Sequence, residues 1–160
     1  MTLQLRIGHG VDVHRFAPRR RLVLGGVEIP YPRGLSGHSD ADVVLHAVMN
    51  AVLGAMGEGD IGLHFPDSDS RTEGIASTEL LRSVTSMMKR KRFRVVNLDV
   101  TVLAQGPRLA PYYPAMRKKI AALLGTRPGA VNLKAATPEK LGALGAGKGM
   151  AAFAVVLLSK

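Results

Sequence analysis

Asp12, His14 and His46 are the residues in this chain best suited to chemistry, because together they could hold a metal. Asp12 and His14 are two apart in a run that reads as a strand over residues 5–14, so their side chains share one face. His46 falls in a helix predicted over residues 42–56, with Asp42 four residues before it on the same face and Ser39 or Asp40 placed to cap the first turn. A strand pair plus one helical histidine supplies three ligands and leaves a fourth position open, as in catalytic zinc sites. By spacing alone, hydrogen-bonded, partly buried residues are the commoner outcome. No His-Glu-x-x-His occurs, which removes the usual metalloprotease arrangement.

Other stretches offer further chemistry. Asp60, Asp67 and Asp69 lie among glycine and proline, where they could bind substrate hydroxyls, act as acid or base, or simply shape turns. Thr137-Pro138-Glu139 follows a strand and reads as a helix start, with Thr137 as cap and Pro138 in the first position. Free N–H groups there would attract an anion, and Glu139 could hold a hard cation that shares phosphate oxygens. Gly142 to Gly149 approaches a phosphate-binding loop, but the position after Lys148 is glycine rather than Ser or Thr, and a strand pattern follows. A tight turn is the better reading.

The elements that must position these residues alternate. A strand over residues 5–14 leads into a basic loop, then a hairpin turning at Gly25-Gly26 and a loop over residues 30–37. After the first helix comes a polar loop from Asp60 to Asp69, and a second helix over residues 77–90. A β-branched strand follows over residues 95–104, then a loop to Pro111 and a third helix over residues 112–124 closed by Gly125. Strands over residues 130–136 and 150–158 finish the chain. The pattern predicts an α/β (α+β-like) fold: one mixed β-sheet with helices on one face, in a single catalytic domain over residues 1–160.

Composition narrows the classes. The chain has 160 residues, 46% of them hydrophobic, enough for a real core. It has no cysteine, which excludes disulfides, thiolate metal sites and a cysteine nucleophile. The N-terminus lacks a long apolar stretch, and the run over residues 150–158 is far short of the ~20 residues that cross a bilayer, so a cytoplasmic protein is expected. Lys and Arg total 22 against 12 acidic residues. They cluster at Arg19-Arg20-Arg21, from Lys89 to Arg94 with Phe93 interleaved, and at Arg117-Lys118-Lys119. Such runs suit a nucleic acid, solvated helix ends, or the steering of an anionic small molecule.

Taken in order, five motifs resemble the 2-C-methyl-D-erythritol 2,4-cyclodiphosphate synthase family over essentially the whole chain. They are Gly8-His9-Gly10-Val11-Asp12-Val13-His14; His38-Ser39-Asp40-Ala41-Asp42 with His46; Gly59-Asp60-Ile61-Gly62; Phe65-Pro66-Asp67-Ser68-Asp69; and Thr137-Pro138-Glu139-Lys140-Leu141-Gly142. The resemblance implies a substrate in which a methylerythritol carries a cytidine diphosphate and a 2-phosphate. That phosphate attacks the β-phosphate, a cyclic diphosphate closes and CMP leaves. It further implies zinc on Asp12, His14 and His46, magnesium or manganese on Glu139, and transition-state stabilisation by His38 and Thr137. Substrate contacts are implied for Val13 and Ser39 beside the metal ligands. The methylerythritol portion would meet Asp60, Ile61 and Gly62 together with Phe65, Pro66, Asp67, Ser68 and Asp69. The cytidine portion would meet Ala104, Arg108, Leu109, Ala110, Ala136, Thr137 and Pro138. The implied assembly is a homotrimer with active sites between subunits.

The chain departs from the family pattern at several points. Ala136 and Pro138 flank Thr137 where polar residues are usual, and Arg108 stands where Lys is common. In the last glycine loop Ala143 replaces an aromatic residue, Ala146 an arginine and Lys148 a glutamate. Three copies of Lys148 near a three-fold axis would favour an anion there. Two other functions compete with the synthase reading. One is a zinc phosphoesterase that uses water and gives a linear product. The other is a basic RNA-binding module working through the Lys89-to-Arg94 run.

Overall fold

A computed structural model describes residues 3–66, 68 and 74–160. The strands are β1 (Leu5–Pro18), β2 (Leu22–Leu24), β3 (Val27–Ile29), β4 (Arg33–Leu35), β5 (Arg94–Leu103), β6 (Val131–Ala136) and β7 (Gly149–Ser159). The helices are α1 (Val43–Met56), α2 (Ile61–His64), α3 (Ser77–Arg90), α4 (Tyr113–Leu124) and α5 (Gly142–Gly145). Five strands form a mixed sheet in the order β4-β1-β7-β5-β6, in which only the β5–β6 pair is parallel. The expected single sheet needs one correction: β2 and β3 pair only with each other, as a separate hairpin. Among the described residues no helix is long and apolar enough to cross a membrane.

Helix α1 is the centre of the core. It buries every residue except Asn50 and Gly54. It lies on β1 with almost nothing between the two backbones. A Cβ added at Gly10 would stand 2.0 Å from the Ala47 carbonyl oxygen, and one at Gly8 would stand 1.9 Å from that of Ala51. Two strand residues advance about 6.6 Å and four helical residues about 6 Å, so glycines two apart meet alanines four apart. The helix therefore runs antiparallel to β1, and its N-terminal turn lies beside Asp12 and His14.

The ends of α1 differ from expectation at one point. Asp42 is the cap rather than a helical residue, and Ser39 and Asp40 lie outside that role. One Asp42 oxygen accepts the N–H groups of Val44, Leu45 and Gly25, and the other that of Gly26. Burial pushes this carboxyl up to about 6, against the pull of those donors. The same side chain thus starts α1 and ties down the Gly25-Gly26 turn, where both glycines have positive φ. Gly57 closes the helix in the left-handed conformation.

Four loop assignments also change. Strand β1 continues through Arg15 to Pro18, because its edge is taken by β4, which lies inside the stretch read as a loop over residues 30–37. Asp60 caps the short α2 by accepting the Leu63 N–H, so Ile61 and Gly62 are helical rather than loop. Residues 137–139 do not open a helix. Glu139 and Lys140 both take positive φ, 52° and 62°, and helix resumes only at Gly142. The glycine loop contains this one turn, α5, before β7 begins at Gly149.

Candidate metal centre and cleft

Residues 8, 10, 12 and 14 alternate inward along β1. At Gly8 and Gly10 the helix fills the space. Beyond the first turn of α1 that space opens, and Asp12 and His14 project into it to meet His46. Asp12 Oδ2 lies 2.9 Å from His14 Nε2 and 3.0 Å from His46 Nδ1, and the two ring nitrogens are 3.2 Å apart. A tetrahedral zinc with bonds of ~2.0–2.1 Å would hold its ligand atoms about 3.3 Å apart. The three atoms thus form one face of such a site with shifts of a few tenths of an ångström. The donor set, one carboxylate and two imidazoles, fits zinc.

Each imidazole is oriented from behind. His14 Nδ1 donates to the Ser36 carbonyl at 2.6 Å, so Nε2 is the nitrogen that faces the site and would ligate once it gives up its proton. His46 turns Nε2 toward the hydroxyls of Ser77, at 2.9 Å, and Ser39, at 3.2 Å. Arg20 holds the intervening loop by donating to the carbonyls of Gly37 and Ser39. Electrostatics favour a charged site. Burial raises the Asp12 carboxyl, but hydrogen bonds and charge from His14 and His46 outweigh it and bring it down to about 2. Burial disfavours the His14 cation, yet its bonds to Asp12 and Ser36 carry its pKa upward.

The three ligands open into a cleft of about 400 Å³. Of the residues singled out in the sequence, His38, Ser39, Ile61, Gly62, Phe65 and Pro66 line it, and Gly37 and Leu80 join them. Asn50 positions the α2 side of the cleft, accepting the Ile61 N–H and donating to the Val11 carbonyl. Val13 points to the opposite face of the sheet and is 59% exposed. Asp67 and Asp69 lie outside the described residues, and Ser68 is exposed beside them.

The second half of the expected site is elsewhere. Ala104 is bonded to Ala136 where β5 and β6 end, Lys140 N–H donates to Gln105, and the Thr137 hydroxyl donates to the Glu139 carboxylate. Arg108, Leu109, Ala110 and Pro138 belong to the same segments, and none of these residues lines the cleft. The rows Val13–Ala151, Ala151–Leu103 and Leu103–Ala136 put this cluster at the same end of the sheet as the metal ligands, but three strands away. At 4.7–4.9 Å per strand that is about 14 Å. Ala143, Ala146 and Lys148 are exposed around α5.

Residues that spacing did not single out as site residues are Ser36, Asp40, Ser77 and Asn50. They touch ligands or cleft walls only through contacts made 22 or more positions away in sequence for the histidine partners. The basic run from Lys89 to Arg94 ends α3 and starts β5, at the Ser159 end of β7, whereas His14 pairs with Met150. Nine residues of strand separate these levels, about 30 Å. Phe93 is buried there under Lys160, so it offers no face for stacking a base.

Comparison with known proteins identifies the family. Residues 5–159 match the YgbB family. The chain is 54% identical over 156 residues to the 2-C-methyl-D-erythritol 2,4-cyclodiphosphate synthase of Geobacter sulfurreducens, covering 98% of this chain and 99% of that one. It is 54% identical over 153 residues to the synthase of Symbiobacterium thermophilum, covering 96% and 98%. Among solved structures, IspF of Plasmodium falciparum in a CDP complex superposes with a TM-score of 0.85 at 32% identity, covering 96% of this chain and 95% of that one. The bifunctional IspDF of Campylobacter jejuni gives a TM-score of 0.95 at 40% identity, and the match covers 99% of this chain but 43% of that longer one.

Proposed function

Because the chain belongs to the YgbB family, whose members here are 2-C-methyl-D-erythritol 2,4-cyclodiphosphate synthases, enzymes of the lyase class, we propose that it converts 4-diphosphocytidyl-2-C-methyl-D-erythritol 2-phosphate to the 2,4-cyclodiphosphate and CMP. The observation that carries this reading is the three-atom face of Asp12, His14 and His46 open to the cleft.

The 2-phosphate needs no strong base, since a phosphomonoester with a second pKa near 6 is mostly a dianion at pH 7. One of its oxygens bonds to the β-phosphorus, the bond from that phosphorus to the α-bridging oxygen breaks, and CMP carries the electron pair away. Asp12, His14 and His46 would hold zinc, which supplies a Lewis acid for phosphoryl oxygen. Ser39 at the cleft wall and the α2 backbone from Ile61 would orient the sugar phosphate, and His38 at the same wall would stabilise the transition state. Glu139 would hold magnesium or manganese, and Thr137, its hydroxyl then freed from that carboxylate, would donate to oxygens that gain charge. This is catalysis by positioning and charge, as phosphoryl transfer requires.

We further propose a homotrimer in which each site joins one copy's metal ligands to the neighbour's Thr137–Glu139 cluster. Two features support it. The two halves lie about 14 Å apart within one chain. The sheet face away from α1 also leaves Ile7, Val11, Val13, Phe153 and Val155 exposed. Apolar patches of this kind mark interfaces. In this reading residues 1–160 form one catalytic domain that works in the cytoplasm.

The test is phosphorus NMR of the purified protein with the diphosphocytidyl substrate, zinc and magnesium. Coupled cyclic diphosphate resonances appearing together with CMP are the expected result. A linear phosphate product would favour a water-using phosphoesterase, and no conversion by zinc-loaded protein would sink the synthase assignment.

A further inference from the structure

The metal ligand His46 has a proton relay behind it that runs to a second carboxylate. His46 Nε2 lies 2.9 Å from Ser77 Oγ, and Ser77 Oγ is bonded to Asp40 Oδ1. Asp40 Oδ2 also accepts the Ser77 N–H at 3.1 Å, and Oδ1 the Asp42 N–H at 3.3 Å. Ser77 is fully buried and His46 is 7% exposed, so water cannot substitute for these bonds.

Counting protons fixes the polarity. A serine hydroxyl has one proton, and a carboxylate has none to give. The Ser77 proton goes to Asp40, so Ser77 Oγ must accept from His46. With a metal between the three groups, that places the His46 proton on Nε2 and leaves Nδ1, 3.0 Å from Asp12 and 3.2 Å from His14, as the ligating lone pair. From this geometry we infer that Asp40 and Ser77 are positioning residues for the metal site, locking His46 in the one tautomer that can ligate. The inference rests on the reading that Asp12, His14 and His46 hold the metal.

Asp40 has two tasks in one side chain. Its bond to the Ser77 N–H satisfies the first turn of α3, which has no cap from Ala76, and its bond to the Ser77 hydroxyl orders the relay. Asp40→Asn separates them. The amide oxygen can still accept the α3 N–H, but the amide NH₂ then donates to Ser77 Oγ and no longer accepts the weaker bond from the Asp42 N–H. The Ser77 proton is turned toward His46 Nε2, which favours the tautomer protonated on Nδ1 and opposes ligation. Ser77→Ala is the complementary change. It keeps the backbone bond to Asp40 and removes the hydroxyl, leaving Ser39 Oγ at 3.2 Å as the remaining acceptor.

The experiment is zinc affinity by chelator competition on the full chain, together with thermal unfolding of the metal-free protein. Outer partners of metal-bound histidines are typically worth 10–100-fold in metal affinity. The relay predicts at least a tenfold weakening for Asp40→Asn and a smaller one for Ser77→Ala, each read beside the loss of metal-free stability that stranding a buried partner brings. Zinc affinity of both variants within twofold of wild type would overturn it, even if stability falls, because a plain helix cap would do only that. Wild-type protein whose zinc binding is indifferent to His46→Ala would instead remove the metal-site reading itself, and this inference with it.

Discussion

Asp12 carries most of the charge logic at the centre of the site. Its folded pKa of about 2 lies below the ordinary 3.8, so its contribution is present above pH 3.8 and is lost as pH falls toward 2. That shift corresponds to about 2 kcal/mol. Acid titration of stability in metal-free protein should show this loss, and Asp12→Asn should flatten it. His14 works in the opposite sense. Its pKa lies above 6.5, so pairing with Asp12 stabilises the metal-free fold below pH 6.5 and fades as pH rises through the folded value. Zinc needs His14 neutral, so binding should release a proton near neutral pH and strengthen as pH rises. Zinc titration calorimetry in buffers of different ionisation heat measures that proton, and heats that do not depend on the buffer would contradict the assignment. The convergence of these three side chains was legible because Asp12 and His14 share the strand period and His46 follows a capping signal. Their orienting partners were not. Ser36 and Ser77 are ordinary residues whose roles exist only after β4 and α3 have folded against the site.

Among the elements, α1 and β1 set the bite of the metal site by backbone contact. A methyl group at Gly10 would meet the Ala47 carbonyl at 2.0 Å, so Gly10→Ala must push the helix away. Such overpacking costs about 3 kcal/mol. Because His46 adjoins Ala47, zinc affinity should fall in the same variant; retained affinity and stability would show that the contact is slack. Asp42→Ala removes the acceptor of four backbone N–H groups at once. Loss of a cap plus stranded donors predicts about 3 kcal/mol lower stability in denaturant titration. The long helices and the outer hairpin could be read from periodicity and Gly25-Gly26. Strand β4 could not, because three residues beside prolines show no alternation and pair only with the extension of β1. The turn at Glu139 was hidden for a different reason: its φ of 52° is one that a non-glycine residue seldom signals.

For the whole molecule, the net charge of +10 and the bare sheet face are the two features that a single folded chain leaves unspent. The Lys89-to-Arg94 run lies far along β7 from the cleft, so replacing its cations with Gln should leave turnover within about twofold while changing its salt dependence. Val155→Lys on the exposed face should break association, read by sedimentation as a shift to monomer with loss of activity. A monomer that keeps full activity would mean that the site is complete in one chain. The separation of the metal ligands from the Thr137–Glu139 cluster has a genetic corollary. Under the proposed trimer, an allele with His46 replaced and an allele with Glu139 replaced should each be inactive alone, yet co-expressed they would form mixed rings. One junction can then pair an intact metal centre with an intact neighbour, and random mixing restores such junctions about a quarter of the time. Two null alleles of one gene would rescue each other in the same cell.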